Sequence, residues 1–309
     1  MRWSTYRAVD GGDRVALVHE DRLHAVRGVG SLLELLDDPD AMAAAASRAV
    51  ADPVEVADPE NVVLRPPVPT PPSVRDFMAF EEHVRNARTT VDAGWYEQPV
   101  FYFSNPASLL GARDDVAVPP GCERLDYELE VAAVVGRPGA NLSPEQADEH
   151  IGGFVLFCDW SARDLQATEM RQRLGPAKGK DFATSLGPWL VTPDELDARA
   201  SGRGYDLSMT ASVNGRPYSS GNMGDLYWSF AEMIAHASRG TRVVTGDVLG
   251  SGTVGTGCIL ELSRLHGEAD YPYLRKGDEV HLEGDLLSAV DARVIAGPPL
   301  RPLRGGERA

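Results

Sequence analysis

The chain reads as an α+β protein dominated by sheet, and three observations point there. Many short runs alternate apolar and polar residues at the strand period of two, or are apolar throughout. Helical stretches are few. Strands and helices do not alternate regularly, so a doubly wound parallel sheet has no support. With 309 residues, 43% hydrophobic and 25% charged, the composition is that of a soluble globular protein with room for a large core.

Taken in order, Arg14 to His19 and Arg22 to Val26 alternate around Glu20-Asp21, which signals a hairpin. Ser31 is placed to cap a short helix running to Leu36, and the alanine-rich stretch from Pro39 to Val50 is expected to be helical. A short strand is expected at Val62 to Leu64. Pro66, Pro67, Pro69, Pro71 and Pro72 follow. So dense a proline run excludes helix and central strand and reads as an extended linker. It divides the chain into a small N-terminal domain with linker, 1–70, a catalytic domain, 71–296, and a proline- and glycine-rich tail, 297–309, expected to fray. The N-terminal piece carries no constellation assignable to chemistry.

Past the linker, a polar helical segment is expected from about His83 to Ala93, then a strand from Gln98 to Phe103. Leu125 to Glu130 alternates as a strand, and Val131 to Val135, apolar on both faces, reads as buried. Ser143 caps a helix with Pro144 at its first position. Ile151 to Cys158 is an apolar strand ending at Asp159. Ser161 with Asp164 resembles a capping box for a helix on which Arg163 and Gln166 share a face. Gly175 to Asp181 is a tight loop. Tyr205 to Val213 is a strand turning at Asn214-Gly215. Met223 to Ser238 is expected to be helical, with Leu226, Phe230 and Met233 on one face. Val248-Leu249, Cys258 to Leu262, Glu279 to Leu282 and Val290 to Val294 complete the chain as strands.

The formal net charge of -16 argues against a nucleic-acid partner, which needs a basic face. It leaves room for a small anionic substrate, because a local cluster can oppose the overall field. Cys122, Cys158 and Cys258 are odd in number and scattered, so a disulfide framework and a zinc finger are both disfavoured and a reduced, cytoplasmic protein is expected. No signal-peptide h-region and no apolar run of the ~20 residues needed to span a membrane stand out.

The chemistry concentrates between Leu125 and Gln166. Asp126, Glu128 and Glu130 point to one face of their strand, and such a row leading into a buried strand is costly without a cation among them. A divalent metal held by hard carboxylate oxygens is the candidate partner, set against a solvated surface hairpin. The residues alone do not choose among the three acids. Asp159, beside Arg163 and Gln166, could form an oxyanion-binding surface next to it. Two motifs are set aside. Gly250-Ser251-Gly252-Thr253-Val254-Gly255 fits the dinucleotide pattern, but the strand expected from Cys258 leaves no helix to hold a pyrophosphate. Gly175 to Lys180 is one residue short of a phosphate loop, with Asp181 where Ser or Thr is required.

Asp126-Tyr127-Glu128-Leu129-Glu130, Asp159-Trp160-Ser161-Ala162-Arg163-Asp164-Leu165-Gln166, Gly179-Lys180-Asp181-Phe182-Ala183-Thr184 and Gly252-Thr253 occur in this order. Together they resemble the fumarylacetoacetate hydrolase family over roughly residues 70 to 296. The resemblance implies a rolled mixed β-structure behind a small N-terminal domain, and a homodimer. It also implies a bound Mg2+, with Mn2+ or Ca2+ as substitutes, and hydrolytic cleavage of a C–C bond in a β-diketo acid or acylpyruvate-like substrate. It makes Glu128, Glu130 and Asp159 metal ligands. In one branch an aspartate ligand stands seven residues before a catalytic histidine, as Asp76 stands before His83, and that histidine pairs with a distant glutamate, matched by Glu261. Another branch pairs its histidine with a glutamate three residues on, where this chain has Asn86. The expected mechanism has His83, oriented by Glu261, activating water. Arg163, Gln166 and Lys180 bind substrate and stabilise the oxyanion, Thr253 makes a weaker substrate contact, and residues 81 to 96 form a lid. The alternatives are a decarboxylase, hydratase or isomerase at the same metal, or a non-catalytic keto-acid binder.

Overall fold

The computed structural model describes residues 1–88 and 90–303. Thr89, in the expected lid, and residues 304–309 of the expected tail lie outside the described residues.

Among the described residues the architecture is mixed and mainly β, as expected. A 13-stranded sheet runs from the N-terminal hairpins, through Arg2–Arg7, Leu190–Val191, Ile151–Asp159, Leu129–Val135, Val248–Gly250 and Val74–Phe77, to the edge strand Phe101–Ser104. A five-stranded sheet, Arg216–Asn222, Ser208–Val213, Glu279–Gly284, Ser288–Ile295 and Val116–Ala117, packs beside it. Most pairings are antiparallel, but Val248–Gly250 lies parallel to Val74–Phe77, with Gly250 opposite Asp76. That register carries an acid from just after the linker to the end of a strand that arrives much later in the chain.

Leu129–Val135 is the keystone strand, paired with Ile151–Asp159 on one side and Val248–Gly250 on the other. Its two faces meet two cores. Val131, Ala133 and Val135 pack into the core shared with the five-stranded sheet. Ala132 and Val134 pack against Trp3, Leu17, Leu35 and Met42 of the N-terminal segment. This is why the run is apolar without alternation. Residues 1–70 therefore extend the sheet and cover its back, with Arg2 paired to Val191 and Thr5 to Arg65. The hairpin at Glu20-Asp21 forms with positive φ at both residues, as does that at Asn214-Gly215, each the type I′ signature. Ser143 caps its helix with Pro144 at the first position, as expected, and Gln146 completes a capping box.

Three local expectations are corrected. Cys258 to Leu262 is not a strand: Ile259–His266 is a helix. An apolar-rich run of five residues does not separate strand from buried helix. Here the Asp126 carboxylate accepts from the amides of Ile259 (2.7 Å) and Leu260 (3.0 Å) and caps the helix from across the fold. Ser161 does not cap the helix Arg163–Met170. It sits in a short bridge opposite Asp126, Ala162 takes the cap position, and Asp164 accepts from the Glu123 amide instead. Finally, Met223 to Ser238 is not one helix. A 3-10 turn, Met223–Asp225, precedes the helix Phe230–Ser238, which starts at a Ser229–Glu232 capping box, so Leu226 lies between them.

Candidate active site and metal centre

A cavity of about 490 Å³ opens where the keystone strand, the strand Val74–Phe77 and the helix Arg163–Met170 converge. Asp76, Glu128 and Glu130 line it, all buried, and each offers a carboxylate oxygen within 4.8 Å of the other two. Asp159 lies beside them at the end of its strand. Tyr102, opposite Asp76 in the strand register, donates to both Asp76 (2.8 Å) and Asp159. Lys180 bridges Glu128 and Asp159. Arg163 joins Glu128 (2.7 Å) to Asp126 (2.8 Å) and donates to Gln166 Oε1 (3.2 Å). Glu130 accepts from the Gly252 amide at 2.9 Å and from Thr253 Oγ1 at 3.4 Å.

The three acids of the alternating row thus part company. Asp126 turns to a helix N-terminus, while Glu128 and Glu130 stay with Asp76. The regular strand breaks between Asp126 and Leu129, where Glu128 bridges to Cys258. The two motifs set aside earlier acquire structural reasons. A Cβ on Gly250 would stand 2.5 Å from Asp76 Oδ1, so this glycine of the motif is bare because the carboxylate centre lies against it. A helix does follow that loop, contrary to expectation, but its first amides are taken by Asp126. The loop before Lys180 does gather amides on an anion, that of its own Glu169, which accepts from Ala177, Lys178 and Gly179. This clamp sets the turn that delivers Lys180 into the cavity.

The residues fit a divalent cation. Oδ1 of Asp76 and Oδ1 of Asp159 are buried without a hydrogen-bond partner, and such orphaned carboxylate oxygens are costly unless a cation takes them. Among the described residues, the ion pairs of this group of five acids, Asp76, Asp126, Glu128, Glu130 and Asp159, go to Lys180 and Arg163. Burial, opposed by Lys180, still holds Asp76 above the usual carboxylate range. Burial, reinforced by Asp76 and Glu128, holds Glu130 well above it. Asp159 is likewise high, from burial more than Lys180 can offset. Glu128 is the exception: burial pushes it up, but Lys180 and Arg163 together hold it well below. Asp76, Glu130 and the free oxygen of Asp159 are where positive charge is missing.

In the unfolded chain these carboxyls release their protons at about pH 4. In the metal-free fold Asp76, Glu130 and Asp159 hold theirs to higher pH, so that fold loses stability as pH rises through the raised values. A cation binds the ionised forms and must displace the protons. The melting-temperature gain from saturating Mg2+ or Mn2+ is expected to be on the order of 5–10 °C at pH 7.5 and much smaller at pH 5.5. Thermal melts at both pH values check this, and equal gains at both would contradict it.

A second constellation stands on the same cavity. His83, on the helix Glu81–Arg88, has Nδ1 2.8 Å from Glu261 Oε2. Glu261 is fully buried and its other oxygen accepts from Asn86 Nδ2 (3.0 Å) and the Thr256 amide (2.9 Å). Cys258 Sγ donates to Oε2 at 3.2 Å. His83, Gln166, Lys180, Arg163 and Thr253 all line the cavity, so the structure brings together every residue the sequence nominated. Glu261 reaches it through His83. Four contributors were not anticipated: Tyr102, Asn86, Cys258 and the role of Asp126. Asn86 carried a signal, since it stands one helical turn after His83 and shares its face. Tyr102 carried none within its own strand.

The family model of the fumarylacetoacetate hydrolase C-terminal region matches residues 73–295. Fumarylacetoacetase of Arabidopsis thaliana is 31% identical over 271 residues, 68% of this chain and 64% of that protein, so the match spans under two thirds of the relative's length. A human mitochondrial oxaloacetate tautomerase is 28% identical over 86% of this chain and 80% of its own length. Among solved structures, a probable 2-hydroxyhepta-2,4-diene-1,7-dioate isomerase from Mycobacterium abscessus superposes with a TM-score of 0.71 at 25% identity, covering 97% of this chain and all of that one. The relatives thus include hydrolases, isomerases and tautomerases. No helix among the described residues is long and apolar enough to cross a membrane.

Proposed function

Because the chain belongs to the fumarylacetoacetate hydrolase family, we propose that it is a metal-dependent hydrolase that cleaves a C–C bond in a β-diketo acid or acylpyruvate-like substrate. The observation that carries the reading is the His83–Glu261 pair, whose imidazole lines the same cavity as the carboxylate centre. Asp76, Glu128, Glu130 and Asp159 would hold the cation, with Mg2+ the first candidate. When bound, it supplies Lewis-acid polarisation of the substrate's oxygens.

The chain's own residues do the rest. Glu261 accepts from Nδ1–H of His83, which leaves Nε2 as the base. His83 Nε2 takes a proton from water, and the hydroxide adds to the carbonyl carbon. The resulting oxyanion is met by the Lys180 ammonium and by the Gln166 NH2, whose amide oxygen is already engaged by Arg163. Collapse breaks the C–C bond. Its electron pair passes to the carbon next to the second carbonyl as an enolate, which takes a proton back from His83. A β-carbonyl is what makes that leaving group possible. Three free cysteines fit a reducing, cytoplasmic setting, and the family resemblance supports a homodimer.

A second reading, a tautomerase or isomerase, has support in the coverage of the human relative. There His83 would move a proton between carbon and oxygen without activating water. Incubation with Mg2+ and a panel of acylpyruvates and diketo acids separates the two. Release of two acids, or of an acid and a ketone, is the expected result. Enol–keto interconversion with solvent deuterium entering the α-carbon and no cleavage would replace the hydrolase by the isomerase.

A further inference from the structure

His83, Cys258 and Glu261 form a group whose chemistry differs from that of the carboxylate centre. One candidate ligand atom from each lies within 4.8 Å of the other two, with Cys258 and Glu261 fully buried and His83 on the cavity wall. The carboxylate centre offers only hard oxygens, suited to Mg2+ or Ca2+. An imidazole, a thiol and a carboxylate are the donor set of Zn2+ and cations of similar softness. We propose that His83, Cys258 and Glu261 are a second metal site, selective for Zn2+-like ions, and that its occupation switches off the base.

Two of the three donor spacings are close to what such an ion needs, and the third, from His83 to Cys258, is within 4.8 Å. Around a tetrahedral Zn2+, with N and O ligands near 2.0 Å and S near 2.3 Å, neighbouring donors stand roughly 3.3–3.5 Å apart. His83 Nδ1 to Glu261 Oε2 is 2.8 Å and Cys258 Sγ to the same oxygen 3.2 Å. The ion enters by replacing these two hydrogen bonds and spreading the donors by a few tenths of an ångström. Glu261 stays anchored meanwhile, because its other oxygen keeps Asn86 and the Thr256 amide. The Cys258 thiol proton leaves to solvent and the imidazole proton transfers from Nδ1 to Nε2, so one proton is released per ion. A fourth coordination position falls to water, supplied through the cavity on which His83 stands. With Nδ1 coordinated and Nε2 protonated, His83 can no longer accept a proton. That inhibitory half rests on the hydrolase reading, whereas the binding half does not.

The test is a Co2+ titration of the full chain saturated with Mg2+. A thiolate ligand gives Co2+ an intense near-ultraviolet charge-transfer band that carboxylates cannot produce. One equivalent of Co2+ is expected to raise the band, and Zn2+ to remove it by competition. The band should be missing from both Cys258→Ser and Cys258→Ala, which keep Cys122 and Cys158 as internal controls and are accepted only if circular dichroism and the Mg2+ thermal shift show them folded. No band in the unaltered protein, or a band persisting in either folded variant, overturns the site. Zn2+ is expected to inhibit turnover in parallel with band displacement, and Cys258→Ser to need at least about ten times more Zn2+. A bound ion with undiminished turnover overturns the inhibitory half and, with it, the assignment of His83 as base, while leaving the site in place.

Discussion

Glu130→Gln is expected to abolish metal-dependent turnover while leaving the metal-free fold as stable as before or more so. In the metal-free protein burial and the neighbouring Asp76 and Glu128 hold the Glu130 carboxyl well above the usual carboxylate range. Glutamine is nearly isosteric with that protonated acid, and its oxygen can still accept from the Gly252 amide. What it removes is the charge that faces the cation. Loss of a group that merely supports a ligand typically costs about 10–100-fold in metal affinity, and loss of a charged ligand should exceed the upper end of that range. Calorimetric titration with Mn2+ measures the affinity, and the thermal gain from Mg2+ should vanish in parallel. Glu128→Gln makes the contrast. Glu128 is paired with both Lys180 and Arg163, and neutralising it takes one of two carboxylate partners from each of these buried cations, leaving Lys180 with Asp159 and Arg163 with Asp126, at a cost of about 3–5 kcal/mol. A folded Glu130→Gln protein that binds Mn2+ with unaltered affinity would remove Glu130 from the centre.

Much of this site was legible because its residues announce their chemistry in short local patterns. An alternating acidic row running into an apolar run has few physical outcomes, and a buried strand with a cation at its end is one of them. The run Val131 to Val135 declared two covered faces, and the structure supplies two cores. The turn signal at Asn214-Gly215 was specific because positive φ selects few residues, whereas the hairpin at Glu20-Asp21 was legible from the alternating runs on either side. The pairing of His83 with Glu261, 178 residues apart, rested on family resemblance, since no local pattern could show it.

What stayed hidden was decided by tertiary contacts. Cys258 to Leu262 has no local feature that prefers helix; the carboxylate that caps it comes from Asp126, 133 residues earlier. The same contact took Asp126 out of the metal row, which alternation alone could not foresee. Tyr102 reads as one aromatic in a strand of aromatics, and only the register opposite Asp76 gives it a role. The roles of Gly250 and Glu169 are likewise set by what comes close in space. A glycine motif reports that the backbone must be bare, and the partner requiring it can be a phosphate or, as here, the protein's own carboxylate.

His83→Ala is expected to lower hydrolysis of a diketo acid by about 10²–10⁴-fold, the usual contribution of a general base, with the Mg2+-induced thermal gain unchanged. Glu261→Gln should be nearly as damaging, and the reason lies in its other contacts. Asn86 Nδ2 and the Thr256 amide both donate to Oε1, so the glutamine oxygen must take that position. Its NH2 then faces His83 Nδ1, which sits 2.8 Å from the present Oε2 and would have to accept instead of donate. The imidazole proton is thereby driven to Nε2, the nitrogen that has to receive the proton from water. The ring keeps its place while its tautomer becomes useless, so kcat falls with KM little altered. Because the two residues act as one unit, the double variant should lose little more than the worse single. If the two losses multiply, or if Glu261→Gln keeps full activity with His83 in place, the pair does not activate water, and proton transfer without hydrolysis becomes the better account of this cavity.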